Sequence, residues 1–544
     1  MRFDQRVKQK DYKSLWKEYC GFLDLDIDSM MEIQERLLME QIGLLNNCEL
    51  GSRLFNERQI NSINEFRKFV PLTTYEDYAD ILLTHRERAL PADVITWIET
   101  TWEGGRHPVK TAPYSKAMLD TFRNNTIACL MLASSRGRND FSVKEHDKAL
   151  YGVASLPYAT GLLPLLLEDE INLDVLPPVK VAQKLSFKER NVLGFKMGMQ
   201  QGLDVFFALS AVAYYISMAL EDASSKKSSG GLKTLLGTNV GMLTRFAKAK
   251  YVSKKEHRSL QPKDLFKMKA LICAGTDSRY YKDKLENLWG VRPLEIFAGT
   301  EPTCIASESW AKNGMYFFPD SCFYEFVPES EMMKRLNDSS YQPKTYLLNE
   351  LVQDEMYELV ITVFKGGAFA RYLTGDCYRC VAKEDKENHI LLPRFEYVDR
   401  IPTIIDIAGF TRISEKSIQD VIDLSKLSIV DWVALKEYDS SLRPYMHLII
   451  ELKKSTLEDE ASNLILLKNH LRAYFAYFDT DYDDLEKMLG IDPLKVTIVQ
   501  CDTFAKYKER YQNSIQKMNA KTYQINDLLS LSSKVREVEE CQRL

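Results

Sequence analysis

The stretch RPLEIFAGTE, residues 292–301, decides the fold class of this chain. An apolar run ends in the small residues Ala298 and Gly299, and the polar residues Thr300 and Glu301 follow directly. This order is typical of a strand that ends at a ligand site, because ligands gather at the carboxyl ends of strands in open α/β sheets. KALICAGTD, residues 269–277, repeats the order. The two stretches therefore predict an α/β sheet with polar groups at strand ends.

Further strand-like runs, separated by helical segments, extend to residue 399, and this alternation predicts an α/β domain with a large, mainly parallel sheet. Residues 1–95 have a mostly helical pattern. DSMMEIQERLLMEQIGLL, residues 28–45, has apolar residues at three- and four-residue spacing, and Asp28 is the expected N-cap. The other strand-like runs are ADVITWIE (92–99), KALYGVAS (148–155), YELVITVF (357–364) and FARYLTGD (369–376).

The pattern changes at Asp399–Arg400, where we place a domain boundary. IIDIAGFTRISEKSIQDVI, residues 404–422, predicts a strand, a glycine turn and a helix capped by Ser414. The prediction is thus a large N-terminal domain, residues 1–399, with mainly parallel sheets and helices, and a small C-terminal α+β domain, residues 400–544. The later segments of the small domain predict a strand, a helix and a strand: MHLIIELKK (446–454), LILLKNHLRAYFAYF (464–478) and LKVTIVQC (494–501).

Length and composition indicate a soluble globular protein of at least two domains, with 544 residues, 45% apolar and 27% charged. The net charge of −5 predicts no global affinity for nucleic acid. The polar N-terminus has no signal-peptide core, so a cytoplasmic protein is expected. VFFALSAVAYYISMAL, residues 205–220, is too short to span a membrane and predicts a buried helix.

Ten cysteines in a chain without a signal peptide predict reduced thiols. Cys377 and Cys380 form a CxxC pair, but no second pair or histidine follows at the spacing of zinc ligands. The apolar alternation around them favours a half-buried strand over a metal or redox site.

A local excess of basic residues runs from Lys226 to Lys267, with eleven Lys or Arg against Glu256 and Asp264. It suits either a solvated helical face or a surface that docks a polyanion.

Four short segments carry the candidate chemistry. In the segment IFAGTE, residues 296–301, the Thr300 hydroxyl suits a phosphate oxygen, and the Glu301 carboxylate suits Mg²⁺, which prefers oxygen ligands. In the segment RYLTGD, residues 371–376, Asp376 is predicted at a strand end, where a carboxylate suits two vicinal hydroxyls. The segments in chain order are TTWEGG (100–105), CAGTD (273–277), IFAGTE (296–301) and RYLTGD (371–376).

This order of segments resembles the acyl-acid amido synthetases of the auxin-responsive promoter family, within the adenylate-forming superfamily. The resemblance extends over nearly the whole length of the chain. Within that family, the chain is similar to a bacterial branch. It implies an enzyme that uses ATP and Mg²⁺, makes an acyl-adenylate, and passes the acyl group to an amine such as an amino acid. The segments that carry it include FVPLTTYEDYADIL (69–82), FEYVDRIPTIIDIAGFTRISEKSI (395–418) and DLEKMLGIDPLKVTIV (484–499).

The resemblance also assigns roles to single residues. Phe297 falls where an aromatic ring stacks on adenine, Thr300 matches a phosphate-contacting threonine, and Glu301 matches the catalytic Mg²⁺-binding glutamate. Asp376 matches the ribose-binding aspartate. The other implied positions are Gly275 and Thr276 beside adenine, Tyr372 with the nucleotide-binding group, Arg400 as a catalytic arginine at the hinge between the domains, and LPYATGLLPL (156–165) at the acyl pocket.

The implied phosphate loop departs from the family pattern at its centre. Thr100, Thr101, Gly104 and Gly105 fit it, but Trp102 replaces a glycine and Glu103 replaces a hydroxyl or basic residue. An ionised carboxylate about 4 Å from a phosphate charge costs roughly 4 kcal/mol at an effective dielectric of about 20.

Smaller departures concern the hinge and the tail. Ile401, Pro402 and Thr403 follow the hinge arginine where an acid is usual, and proline stiffens a backbone. Lys506 and Lys508 are lysines of the tail, although no clear Gly-Lys motif accompanies them. Glu99 and His107 flank the phosphate loop, and a lone histidine in a polar loop is usually only solvated.

Three functions remain open from the sequence. The first is an acyl-adenylating amido synthetase acting on a small carboxylic acid and an amine, with no nucleic-acid or membrane partner. The second keeps the fold but works without ATP on a small molecule in the acyl pocket. The third is a non-catalytic binding protein. The sequence names neither the acid, nor the amine, nor the oligomeric state.

Overall fold

The computed structural model describes residues 1–100, 107, 109–225, 240–338, 340–408, 411–425, 428–453, 468–469, 472–473, 493–532 and 535–537. The chain divides into two compact units. The first holds Met1–Thr100 and Lys110–Asp399, and the second includes Arg400–Leu544. A separate hydrophobic core lies in each unit.

Helices dominate the first unit before residue 95. Ile27–Asn46 is capped by Asp26, whose carboxylate accepts a hydrogen bond from the Ser29 backbone N–H at 2.8 Å. The predicted cap, Asp28, lies inside the helix instead, because the Asp26 side chain is the one that reaches a free N–H of the first turn. The helices of this unit are Phe3–Lys8, Tyr12–Tyr19, Ile27–Asn46, Glu49–Leu54, Ile63–Phe69, Ala79–Leu82, Lys116–Ala133, Leu163–Glu168, Val179–Ala182, Phe187–Gln201, Ser210–Ser225, Val240–Lys255, Pro262–Leu265, Ser278–Trp289 and Glu329–Asn337.

The described strands of the first unit are β1 Thr96–Glu99, β2 Thr111–Tyr114, β3 Lys148–Gly152, β4 Asp174–Leu176, β5 Val205–Leu209, β6 Ala270–Ala274, β7 Leu294–Gly299, β8 Thr303–Glu308, β9 Met315–Phe317, β10 Cys322–Pro328, β11 Met356–Val363, β12 Tyr372–Ala382 and β13 Arg394–Arg400. Eleven of these strands form one large sheet in the order β10-β11-β12-β13-β9-β8-β7-β6-β5-β3-β4. The other two, β1 and β2, form a separate hairpin.

The α/β class is confirmed, and the large sheet is mixed. Pairing is parallel from β4 through β3, β5 and β6 to β7. It becomes antiparallel from β7 to β8 and β9, and between β10, β11 and β12. The reason lies in the connections, since long helical segments allow parallel crossovers whereas the short turn from Gly299 to Thr303 reverses the chain.

The apolar run at 205–220 is a strand followed by a helix, and not one helix as predicted. Val205–Leu209 is β5, buried in the sheet, and Ser210–Ser225 is helical. A short apolar run cannot be assigned by periodicity alone, because a fully buried strand and a buried helix are both continuously apolar.

Cys377 and Cys380 lie buried on β12, in the strand that the alternation predicts. Burial raises the pKa of Cys377 well above its usual value and that of Cys380 to about 11. Both thiols are therefore protonated at neutral pH.

The second unit contains a hairpin and a four-stranded sheet within its described residues. The hairpin is β14 Ile404–Ile407 with β15 Thr411–Ser414, and the sheet is β16 Ile429–Tyr438, β17 Pro444–Leu452, β18 Leu494–Val499 and β19 Val535–Glu537. β17 and β18 are parallel. The helices are Glu415–Ser425, Thr503–Tyr511 and Thr522–Ser530.

The predicted Ser414 cap is confirmed, since its hydroxyl accepts from the Ser417 N–H at 3.2 Å. The prediction missed β16, which pairs along its length with β17. The predicted helix at 464–478 lies largely outside the described residues. Among the described residues, no helix combines the length and apolar character that crossing a bilayer requires.

Candidate functional site

The segment after β7 is fastened to the β1–β2 hairpin by two hydrogen bonds. The Thr300 hydroxyl donates to the Glu99 carbonyl at 3.4 Å, and the Tyr114 hydroxyl donates to the Thr300 carbonyl at 2.7 Å. Tyr114 is fully buried at the end of β2. The hairpin whose loop carries TTWEGG therefore lies against the strand end that carries Thr300 and Glu301.

Glu301 is held by a tyrosine from another strand. The Tyr372 hydroxyl, at the start of β12, donates to Glu301 Oε1 at 3.0 Å. Tyr372 is buried, while Glu301 is half-buried and keeps access to solvent. The contact fixes one oxygen of the carboxylate and leaves the carboxylate able to bind a cation.

The charge of Glu301 acts on two tyrosines of the hairpin region. Burial, with a smaller contribution from Glu301, raises the pKa of Tyr114 well above its ordinary value. Burial also raises the pKa of Tyr75, whose hydroxyl donates to the Thr111 carbonyl at 3.0 Å, and Glu301 adds to this shift. Both phenols therefore stay neutral hydrogen-bond donors at neutral pH.

An aromatic cluster joins the two residues that the resemblance assigns to a nucleoside. Phe297 is half-buried and stacks on Tyr397 at a centroid distance of 5.7 Å and an interplanar angle of 20°. The Tyr397 hydroxyl donates to Asp376 Oδ1 at 3.2 Å. One ring from β13 thus connects a stacking surface on β7 with a buried carboxylate on β12.

The turn after β6 brings backbone close to open space. Gly275 has a φ of +122°, a conformation that favours glycine, and a Cβ built there meets nothing within 4 Å. The Ser278 hydroxyl donates to the Gly275 carbonyl at 2.8 Å and fixes the turn at the start of helix Ser278–Trp289. Space is therefore open beside Gly275, and the assignment of Gly275 and Thr276 to adenine stays a prediction.

A cluster of acids on β7 and β8 was missed by the sequence reasoning. Glu295 shares a face of β7 with Phe297, because side chains two apart point the same way. Its backbone N–H donates to Glu308 Oε2 at 2.8 Å, and Lys282 hydrogen-bonds Glu308. Burial, with the charge of Glu308 second, raises the pKa of Glu295 to about 7. An acid inside the apolar run LEIF was the available signal.

Thr100 closes the base of the hairpin loop. Its hydroxyl accepts from the Lys110 N–H at 3.0 Å, and its own N–H donates to the Lys110 carbonyl at 2.9 Å. Thr100 is 5% exposed. Its part in phosphate binding stays a prediction. Thr101, Trp102, Glu103, Gly104 and Gly105 lie outside the described residues.

The segment predicted to border the acyl pocket lies next to the same hairpin. The Glu99 N–H donates to the Pro157 carbonyl at 3.0 Å. The Tyr151 hydroxyl donates to the carbonyls of Ala154 and Thr160, at 2.9 and 3.1 Å, and shapes the turn. Glu99 therefore contacts both Pro157, in this segment, and Thr300. The acyl-pocket role of residues 156–165 stays a prediction.

A buried ion pair missed from sequence stands directly before Tyr372. Arg371 binds both oxygens of Glu325, at 2.9 and 2.8 Å, and donates to the carbonyls of Arg67 and Val70, at 2.7 and 2.6 Å. Arg371 has a φ of +48° and is 6% exposed. It fixes the backbone that presents Tyr372 to Glu301.

Arg400 ends β13 and opens the second unit. Its Nε lies 3.9 Å from the fully buried Asp406 carboxylate, which also accepts from Arg412 Nε at 3.3 Å. Lys506 and Lys508 lie exposed on helix Thr503–Tyr511. The catalytic assignment of Arg400 stays a prediction.

Among the described residues, Glu451, Cys501 and Asp502 also have ligand atoms close enough to hold a metal. The Glu451 carboxylate already accepts from the N–H groups of Asp502 and Phe504, both at 2.9 Å. This carboxylate therefore has a structural role at the start of helix Thr503–Tyr511.

Comparison with protein families identifies two regions of the chain. Residues 21–165 match the GH3 family N-terminal domain, and residues 315–400 match the GH3 family central domain. The indole-3-acetic acid-amido synthetase GH3.10 of Arabidopsis thaliana is 26% identical over 204 residues, which are 35% of this chain and 32% of that protein. The match thus spans about a third of the curated relative.

Two solved structures are similar over most of the chain. The AtGH3.15 acyl acid amido synthetase in complex with 2,4-DB has a TM-score of 0.50 at 14% identity and covers 96% of this chain and 97% of its own. A 2-hydroxyisobutyryl-CoA ligase in complex with 2-HIB-AMP and CoA has a TM-score of 0.55 at 15% identity, with coverages of 87% and 86%. At such identities the likeness shows the fold alone.

Proposed function

We propose that this chain, which matches the N-terminal and central domains of the GH3 family, is an ATP- and Mg²⁺-dependent acid–amine ligase. It activates a small carboxylic acid as an acyl-adenylate and then joins the acyl group to an amine such as an amino acid. The enzyme acts in a reducing compartment such as the cytoplasm, in keeping with its described cysteines, which form no disulfide.

One observation carries the proposal. Three contacts join side chains from separate strands. Phe297 stacks on Tyr397, the Tyr397 hydroxyl donates to Asp376, and the Tyr372 hydroxyl donates to Glu301. A stacking ring, a carboxylate for two hydroxyls and a carboxylate for a cation are the elements of a nucleoside-triphosphate site.

The residues present fit a magnesium ion. Mg²⁺ usually takes one or two protein carboxylates and completes its coordination with water and substrate phosphates, so a single half-buried Glu301 suffices. The ion, when bound, offsets the negative charge of the phosphates and of the attacking carboxylate.

The protein's own groups orient the reaction. Phe297, Asp376 and the turn at Gly275 fix the nucleoside, while Thr300 and Glu301 face the phosphates. A carboxylate oxygen of the acid attacks the α-phosphorus and pyrophosphate leaves. The amine nitrogen then attacks the acyl carbon, loses a proton, and AMP leaves. The main contribution of the site is to hold like-charged reactants in line.

The test is acid-dependent release of pyrophosphate from Mg²⁺-ATP, with hydroxylamine as a general amine acceptor and a panel of carboxylic acids. Wild type is expected to release pyrophosphate with at least one acid. Glu301→Ala and Asp376→Ala are each expected to lower the rate at least a hundredfold, since each removes a charge from the site. The exposed Glu387→Ala variant is the matched control.

Full activity in both site variants would contradict the proposal. Turnover of a substrate without ATP would instead support the second hypothesis drawn from the sequence. The comparisons favour neither that alternative nor a non-catalytic role.

A further inference from the structure

A cavity of about 790 Å³ opens in the N-terminal helical part of the first unit, apart from the candidate site. Helices Tyr12–Tyr19, Ile27–Asn46 and Lys116–Ala133 surround it, together with the turn at Phe318–Asp320. Its described lining includes none of the residues assigned to the nucleotide. The volume is within the range of small-molecule sites, about 300 to 1,000 Å³.

One side of the cavity is aromatic. Phe22 and Phe318 pack together with ring centroids 4.7 Å apart, and Trp16 packs on Trp310 at 5.6 Å. Among the described residues, the buried Trp16 Nε1 has no hydrogen-bond acceptor. Rings fixed by other rings form a rigid wall that suits a flat apolar group.

The acids that line the cavity are neutralised by cations. Asp24 pairs with Arg138, Asp320 pairs with Lys365 at 3.0 Å, and Glu18 pairs with Arg6 at 2.5 Å. Their charges therefore contribute little net field inside the cavity.

Two lysines of the lining remain. Lys13 and Lys17 lie one turn apart on helix Tyr12–Tyr19, both exposed, and neither forms an ion pair with a described residue. Residues at this spacing project from the same face of a helix. The cavity therefore combines an aromatic wall with a pair of uncompensated positive charges.

We propose that this cavity is a second ligand site, which takes an organic carboxylate with a flat apolar body. The body lies against Trp16, Phe22 and Phe318, and the carboxylate lies between Lys13 and Lys17. The site does not depend on ATP, and its existence does not rest on the proposed ligase activity.

The probe is naphthalene-2-carboxylate, titrated calorimetrically into the full chain without nucleotide, beside the uncharged naphthalene-2-carboxamide. Wild type is expected to bind the carboxylate at least tenfold more tightly than the carboxamide, and added salt is expected to narrow the difference. Lys13→Gln/Lys17→Gln is expected to weaken carboxylate binding at least fivefold and to leave carboxamide binding unchanged.

A blocking variant separates this cavity from the acyl site, which also takes carboxylic acids under the proposed function. Asn124 is an exposed lining residue on helix Lys116–Ala133, and Asn124→Trp is expected to remove binding here without disturbing the fold. Lys180→Gln/Lys184→Gln, an exposed lysine pair at the same spacing, is expected to match wild type.

Three results would overturn the proposal: no carboxylate binding by wild type at millimolar concentration, wild-type carboxylate affinity in Asn124→Trp, or equal affinities in wild type and Lys13→Gln/Lys17→Gln. None of them bears on pyrophosphate release, so the two proposals fail separately.

Discussion

At the scale of single residues, tyrosine hydroxyls organise the candidate site. Tyr114, Tyr372 and Tyr397 donate to the Thr300 carbonyl, to Glu301 and to Asp376, respectively. A phenol offers one donor on a rigid ring, so packing of the ring fixes the direction of the hydrogen bond. The carboxylates of Glu301 and Asp376 are thereby held in fixed orientations.

Glu103 leads to a prediction about phosphate affinity. A carboxylate beside phosphates opposes binding by roughly 4 kcal/mol at an effective dielectric of about 20. Glu103→Ser is therefore expected to tighten Mg²⁺-ATP binding by at least tenfold, measured by titration calorimetry. Equal affinities of variant and wild type would show that residue 103 does not face the phosphates.

The raised pKa of Glu295, about 7, predicts a pH-dependent stability. Because an exposed glutamate titrates near about 4.3, folding takes up a proton between these values. The fold is thus most favoured below the lower pKa, and stability is lost as pH rises through about 7. Burial and the charge of Glu308 disfavour the charged form of Glu295, as does the charge of Glu396. Lys282 and Arg279 favour the charged form.

Glu295→Gln removes this titration. The free energy of unfolding of the variant, minus that of wild type, is expected to rise by on the order of 2 kcal/mol from pH 5 to pH 8.5. Melting temperatures across this range measure the effect, with the exposed Glu387→Gln as control. A difference between variant and wild type that stays constant with pH would contradict the assignment.

At the scale of elements, the site forms where the large sheet changes from parallel to antiparallel. β7 pairs in parallel with β6 on one side and antiparallel with β8 on the other. The turn from Gly299 to Thr303 therefore projects Thr300 and Glu301 beyond the sheet edge. Both residues thus follow the carboxyl end of a strand, which is where ligands bind in other open α/β sheets.

Helix Ile27–Asn46 contains a residue that opposes its own stability. Gly43 lies exposed in the helix, and a Cβ built there meets nothing within 4 Å. Gly43→Ala is expected to stabilise the first unit by about 0.5 to 1 kcal/mol, because alanine loses less backbone entropy on folding. Thermal or denaturant unfolding measures this.

Gly51→Ala is the contrasting variant. A Cβ there would lie 2.0 Å from the Leu45 carbonyl oxygen, so this substitution is expected to destabilise. Stabilisation by Gly51→Ala, or destabilisation by Gly43→Ala, would contradict the packing described for this helical layer.

At the scale of the whole molecule, one buried arginine ties the N-terminal helical part to the sheet of the first unit. Arg371 contacts Glu325 on β10 and the carbonyls of Arg67 and Val70 at the end of helix Ile63–Phe69. These partners are distant in sequence and meet only in the folded unit. The second unit has its own core.

Arg371→Ala is expected to destabilise the first unit by about 3 kcal/mol, because the buried Glu325 carboxylate loses its two-point partner and keeps only Arg67, at 3.5 Å, as an ionic partner. Unfolding in denaturant measures the loss, and the exposed Arg379→Ala on β12 is the control. Equal stability of the two variants would show that the ion pair has no structural role.

The sequence alone predicted the α/β class, the strand end that carries Thr300 and Glu301, and the Ser414 cap. Asp376, predicted at a strand end, lies instead within β12, because that strand continues to Ala382. Residue type and local periodicity carry this information, because apolar residues recur at every second position in half-buried strands and at every third or fourth position in helices. These features depend on neighbours in the chain.

Long-range packing sets the mixed pairing of the sheet, the acid pair Glu295–Glu308, and the partners of Glu301 and Asp376. Tyr114 lies 186 residues from Thr300 in sequence, and Tyr372 lies 71 residues from Glu301. Which hydroxyl meets which acid depends on strand order and on the packing of whole layers. Local pattern does not specify these long-range contacts, because many pairings satisfy the same alternation.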